Sequence, residues 1–118
     1  LGYEDIPKIL FTKGGGQWIK AQANSGADAL GVDWQTNLGY TRKLLDNKVA
    51  LQGNLDPAIL LSSPKTIEKF VKQILDEYGE GAGHIFNLGH GITQFTPTEN
   101  LQALLETVRN YSPKFHKE

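Results

Sequence analysis

The feature that most limits how this chain can fold is an alternation of two kinds of apolar pattern. Four short runs, Ile9-Leu10-Phe11, Ala29-Leu30-Gly31-Val32, Val49-Ala50-Leu51-Gln52 and Ile85-Phe86-Asn87-Leu88, lack the polar alternation of a half-exposed strand. They are too short for helices and suit parallel strands buried on both faces. Between and after them the period changes to that of a helix. Ile67, Phe70, Val71, Ile74, Leu75 and Tyr78 recur at three- and four-residue steps, with Ser63 placed to cap the helix and Pro64 suited to its first turn. A last helix carries Leu101, Leu104, Leu105 and Val108 on one face. Thr96-Pro97-Thr98-Glu99 reads as its capping box, with Pro97 at the first helical position. Two shorter helices are expected from Gln17 to about Ser25, stopped by Gly26, and from Asn37 to about Leu45, with Leu38, Thr41, Leu44 and Leu45 inward. The order is β-α-β-α-β-α-β-α, which implies a parallel sheet with right-handed crossovers.

Length bounds the answer. At 118 residues the chain can bury one core but not two. Four βα units fit either a small open sheet or half of an eight-stranded barrel, whose full form needs about 250 residues. The pattern alone does not separate these. The first residues, Leu1-Gly2-Tyr3, lack an initiator Met and the charged start of a secretory signal, and a strand-like run begins already at Ile6. The chain is therefore read as a piece of a longer one.

Composition removes several function classes. With 39% apolar and 21% charged residues this is an ordinary globular composition, and a net charge of −1 offers no attraction to nucleic acid or an anionic membrane. No apolar stretch approaches the length of a membrane span. The absence of cysteine excludes a disulfide scaffold and thiolate metal sites, and is compatible with the cytoplasm. No His-x-x-x-His or Glu-x-x-His spacing and no Gly-x-Ser-x-Gly elbow occurs, so neither a local metal site nor a serine nucleophile is expected.

In both architectures ligands bind where strands end. Residues 12–16, 33–36, 53–57 and 89–94 hold that position. Thr12-Lys13-Gly14-Gly15-Gly16 could wrap an anion with bare N–H groups, but it matches no phosphate-loop signature and reads better as a strand-to-helix turn. Asp33, followed by Trp34, is either a base or donor-orienting carboxylate, or a capping and loop-locking one. Asn54 and Asp56 sit in Gly53-Asn54-Leu55-Asp56-Pro57, where turn chemistry accounts for them unless they line a mouth. The sharpest candidate is His90, between Gly89 and Gly91. An imidazole there can donate to a carboxylate or exchange a proton near neutral pH. His84, at the opposite end of the same strand, reads as a stability residue, and His116 as a solvated one in a charged tail.

Four segments carry a further signal: IPKILFTKGGGQW from Ile6, DALGVDW from Asp28, VALQGNLDP from Val49 and HIFNLGHGI from His84. In this order they resemble the uroporphyrinogen decarboxylases of haem biosynthesis, over nearly the whole chain. The resemblance implies a (βα)8 barrel, with residues 1–118 supplying about its C-terminal half as part of one domain. It also implies removal of four acetate carboxyl groups from uroporphyrinogen to give coproporphyrinogen, without metal or organic cofactor, by a cytoplasmic homodimer. The family's Asp, its arginines, and its Tyr and Ser or Thr have no counterpart here. Only its His maps, onto His90. Gly89, Gly91, Asp33 and Asn54 are weaker loop candidates for substrate contact. Gln94 stands where many relatives carry Pro, which softens the loop without removing a functional group. Two alternatives remain, a corrinoid-related methyltransferase of the same barrel type, which would use zinc, and a non-catalytic half-barrel that binds a ligand or partner. The isolated 118 residues are expected to be inactive.

Overall fold

A computed structural model describes residues 5–116, so the expectation drawn from Leu1, Gly2 and Tyr3 lies outside the described residues. Four strands, β1 (Ile9–Phe11), β2 (Ala29–Gly31), β3 (Ala50–Gln52) and β4 (His84–Ile85), form one sheet in chain order. Every pairing is parallel. The connections carry α1 (Ile19–Ala23), α2 (Leu38–Leu44) and α3 (Pro64–Tyr78), and α4 (Thr98–Tyr111) follows β4. Short 3-10 turns precede α1 and α3 and follow α4. The alternating α/β order is the one the sequence pattern requires. No helix among the described residues is long and apolar enough to cross a membrane.

Register explains where the core sits. Residues paired across a parallel ladder point to the same face. Leu30 and Leu51, paired with each other and with Leu10 and His84 beyond, point towards the helices and are fully buried. They meet Leu38, Ile67, Val71 and Leu75 from α2 and α3. The alternate row, Phe11–Gly31–Gln52–Ile85, points the other way. There Phe11 and Ile85 stay 43% and 42% exposed, and Ile9 52%. The expectation of strands buried on both faces thus needs correction: among the described residues only one face is covered. The apolar character of the other face follows from its sequence, and Ile9, Phe11 and Ile85 on it remain exposed.

Local chemistry sets most boundaries. Ser63 Oγ accepts the Thr66 N–H at the start of α3, with Pro64 in the first turn. Asn37 Oδ1 accepts from Tyr40 N to start α2. Gly26, at φ 91°, turns the chain just beyond α1, which is shorter than the expected Gln17–Ser25 helix because its first turn is 3-10. Three other expectations change. The ladder of β4 begins at His84 and lapses after Ile85, leaving Leu88 with one isolated bridge to Leu55. The interruption coincides with Gly53, whose φ of 143° bends the neighbouring chain where β3 ends. At α4, Pro97 is the cap residue and no side chain caps the helix. The expected capping box fails because Thr96 shares its hydroxyl with Thr93 instead. The buried face of α4 is also rotated: Asn100 and Leu104 are buried, whereas Leu105 is 54% exposed.

Candidate functional site

The loops leaving the carboxyl ends of the four strands converge, and Asp33 lies at their junction. Its carboxylate, only 4% exposed, accepts from Gly14 N in the first loop at 2.6 Å. It also accepts from Gln35 N at 3.1 Å and Thr36 Oγ1 at 3.2 Å in its own loop. From the third loop, the buried Asn54 donates Nδ2 to the Asp33 carbonyl at 2.9 Å and to the Thr36 carbonyl. From the fourth, Gly89 approaches so closely that an added Cβ would stand 2.8 Å from Trp34 Cα and 2.9 Å from the Asp33 carbonyl carbon. A backbone neighbour requires glycine at that point. Asp56 accepts from Ala58 N and starts the turn before α3.

The same bonds dispose of the anion-cradle reading of residues 12–16. Gly14 directs its N–H to a carboxylate, and Gly15 N–H donates to the Thr12 carbonyl. Those two donors are occupied. The segment is a strand-to-helix turn, with Gly14 at φ 68°.

His90 is exposed on the last of these loops. Its ring makes near-perpendicular contacts with two aromatic rings, Phe11 with centroids 6.3 Å apart and Trp34 at 6.2 Å. The Gly91 N–H donates to Nδ1 at 2.8 Å. A neutral imidazole held this way carries its proton on Nε2, which is then the atom able to donate to a ligand. Beneath it opens a cavity of about 570 Å³ lined by Phe11, Gln52, Phe86, Asn87, Leu88, His90, Gly91, Ile92, Leu101, Leu104 and Leu105. Its walls are mostly apolar, the usual character of a site for an organic ligand. Asp33 and Asn54 do not line it. Among the described residues no three of His, Cys, Asp and Glu stand together as a ligand set for a metal.

Two wall residues were not legible as site residues in the sequence. Gln52 and Phe11 lie in the row of the sheet that faces away from the helices and reach the cavity from strand positions, not loops. Period-two placement along the strands was the available signal, with Gln52 a polar side chain inside an apolar run. The shared face of Leu101, Leu104 and Leu105 in α4 was visible in the sequence, but not that it borders this cavity.

His84 does other work. Its Nε2–H donates to the Gly53 carbonyl at 2.9 Å, and its ring stacks on Tyr78 with centroids 4.5 Å apart. Burial pushes its pKa below the ordinary imidazole value; the bond to Gly53 opposes that, and the positive charges of His116 and Arg42 add to it. His116 is exposed at the end of the last 3-10 turn.

Residues 2–111 match the family model described as Uroporphyrinogen decarboxylase (URO-D). The curated uroporphyrinogen decarboxylase of Methylobacillus flagellatus is 60% identical over 111 residues, covering 94% of this chain and 31% of its own length. That of Nitrosospira multiformis is 57% identical over 116 residues, covering 98% of this chain and 32% of its own. The chain therefore spans about a third of the curated relatives it matches. Among solved structures, a methyltransferase from Methanosarcina mazei superposes with a TM-score of 0.78 over 91% of this chain and 32% of that one, at 20% identity. At that identity the likeness concerns the fold alone.

Proposed function

The chain belongs to the uroporphyrinogen decarboxylase family, and from that premise we propose that it supplies the C-terminal four βα units of a (βα)8 barrel in a longer polypeptide. The complete protein is a carboxy-lyase acting in the cytoplasm as a homodimer. It converts uroporphyrinogen to coproporphyrinogen by removing the carboxyl groups of four acetate side chains, and it uses no metal or organic cofactor.

The observation that carries this reading is the setting of His90, at the carboxyl end of a parallel sheet, against two aromatic rings and on the wall of an apolar cavity. The chemistry asks for such a wall. Loss of CO2 leaves an electron pair on the acetate methylene carbon, which a pyrrole protonated at a ring carbon accepts into its π system. The methylene then takes a proton and becomes a methyl group. The substrate is its own electron sink, so the protein has to orient rings, hold carboxylates and deliver protons. Phe11, Phe86 and Leu88 provide apolar surface for a pyrrole face. His90 Nε2–H holds a carboxylate and assists proton transfer. Asp33 and Asn54, whose polar atoms are engaged between loops, support the mouth rather than touch the substrate. The groups that bind the pyrrole N–H atoms and the remaining carboxylates come from the rest of the polypeptide.

The direct test is His90→Asn in the complete polypeptide. Turnover should fall by about 10- to 100-fold, the value of one hydrogen bond to a charged group. The thermal midpoint should barely move, because the ring is exposed. Unchanged kinetics would remove His90 from the mechanism. A second reading draws on the fold neighbour, which is a methyltransferase. A corrinoid-related enzyme of that class would hold zinc, so stoichiometric zinc in the complete protein would favour it over the decarboxylase.

A further inference from the structure

His90 lies on a loop, outside any helix or strand, yet its ring has fixed neighbours. Their own anchorage leads back to one residue. Trp34 is adjacent in sequence to Asp33, and its backbone is wedged against Gly89, the residue before His90. The loop that follows Phe11 is tied to Asp33 Oδ2 through Gly14 N. The β2 loop closes on Oδ1 through Gln35 N and Thr36 Oγ1, and the β3 loop reaches the Asp33 carbonyl through Asn54. A buried carboxylate accepting three hydrogen bonds is a rigid node, because losing any one leaves a buried donor or acceptor unpaired. Asp33 does not line the cavity, and both its oxygens are occupied, so it is not placed to act as a base itself.

We propose that Asp33 is a positioning residue for His90: its carboxylate ties the β1 and β2 loops while its backbone meets the β3 and β4 loops at Asn54 and Gly89, and it thereby sets Phe11 and Trp34 beside the imidazole and holds Nδ1 on Gly91 with Nε2 available to a ligand. For its effect on turnover, and for that alone, the inference rests on the decarboxylase reading.

Asp33→Asn tests it, since the amide keeps the side chain's size but turns an N–H group towards a donor, either Gly14 N or the Gln35 and Thr36 pair. The readout is the pair of His90 ring nitrogens in long-range proton–nitrogen spectra of the complete polypeptide without substrate, assigned by their loss in His90→Asn. The unsubstituted protein should show a single tautomer with the proton on Nε2. In Asp33→Asn the two nitrogens should move towards a common averaged shift, and kcat should fall about 10- to 100-fold with little change in KM. If Asp33→Asn does not fold, Thr36→Val removes one of the three bonds at nearly constant volume and should give partial averaging. Unchanged ring signals in the folded variant overturn the assignment even if its melting point drops, because a merely structural Asp33 would lower stability without altering the tautomer of His90. Absence of turnover in the unsubstituted protein would instead count against the decarboxylase reading and leave the ring test intact.

Discussion

At the scale of single residues, one strand and its loop carry two histidines in opposite circumstances. His90 has its Nδ1 fixed and its ring exposed, a form suited to meeting a ligand. His84 is packed against Tyr78 and bonded to Gly53, a form suited to holding the strand. That packing makes stability depend on pH. Burial lowers the pKa of His84 in the folded chain below its value near 6.5 in the unfolded one. Between those two values the unfolded state binds more protons, so stability rises with pH. The contribution is fully present above the unfolded value and is lost as pH falls through the folded one. Denaturant midpoints measured from pH 7 downwards should therefore decline below about 6.5, and His84→Gln should flatten that decline. An equal slope in both proteins would mean that His84 is not its source. The sequence separates the two histidines by position, because they lie at opposite strand ends and glycines stand on both sides of His90 but on one side of His84. The role of Gln52 was not, since a polar residue in an apolar run shows its face only once the register is known.

Among elements, α3 and α4 differ in how much the sequence determined. The helix α3 has a cap, a proline in its first turn and one continuous apolar stripe, and all three are local. Its expected start and apolar face agree with those observed. The rotation of α4 is decided by tertiary contact. Asn100 donates Nδ2 to the carbonyls of Leu60 and Ser62, at 2.8 and 2.7 Å, and turns the Asn100–Leu104 side inward. A buried amide that ends a neighbouring turn outweighs a leucine stripe, because two unpaired carbonyls would cost more than a partly exposed Leu105. Asn100→Ala should destabilise the protein by about 1–3 kcal/mol and raise hydrogen exchange in α4 more than in α3. Uniform exchange across both helices would mean that Asn100 does not dock α4 specifically.

At the scale of the molecule, among the described residues the sheet has one covered face and one apolar face open at Ile9, Phe11 and Ile85. Alternating βα units announced the parallel sheet, and strands without polar alternation announced that both faces need cover. Neither pattern says which chain segment provides the second layer. In the proposed barrel the interior supplies it, with the rest of the longer polypeptide closing around the cavity beneath His90. The work of the site is then divided: this chain provides one wall and one imidazole, and the groups that hold the remaining carboxylates lie elsewhere. Formation of coproporphyrinogen from uroporphyrinogen, measured side by side for the complete polypeptide and for the 118-residue chain alone, tests that division most directly. The complete polypeptide should form product and the chain alone none; turnover by the isolated chain, or none by either, would contradict it.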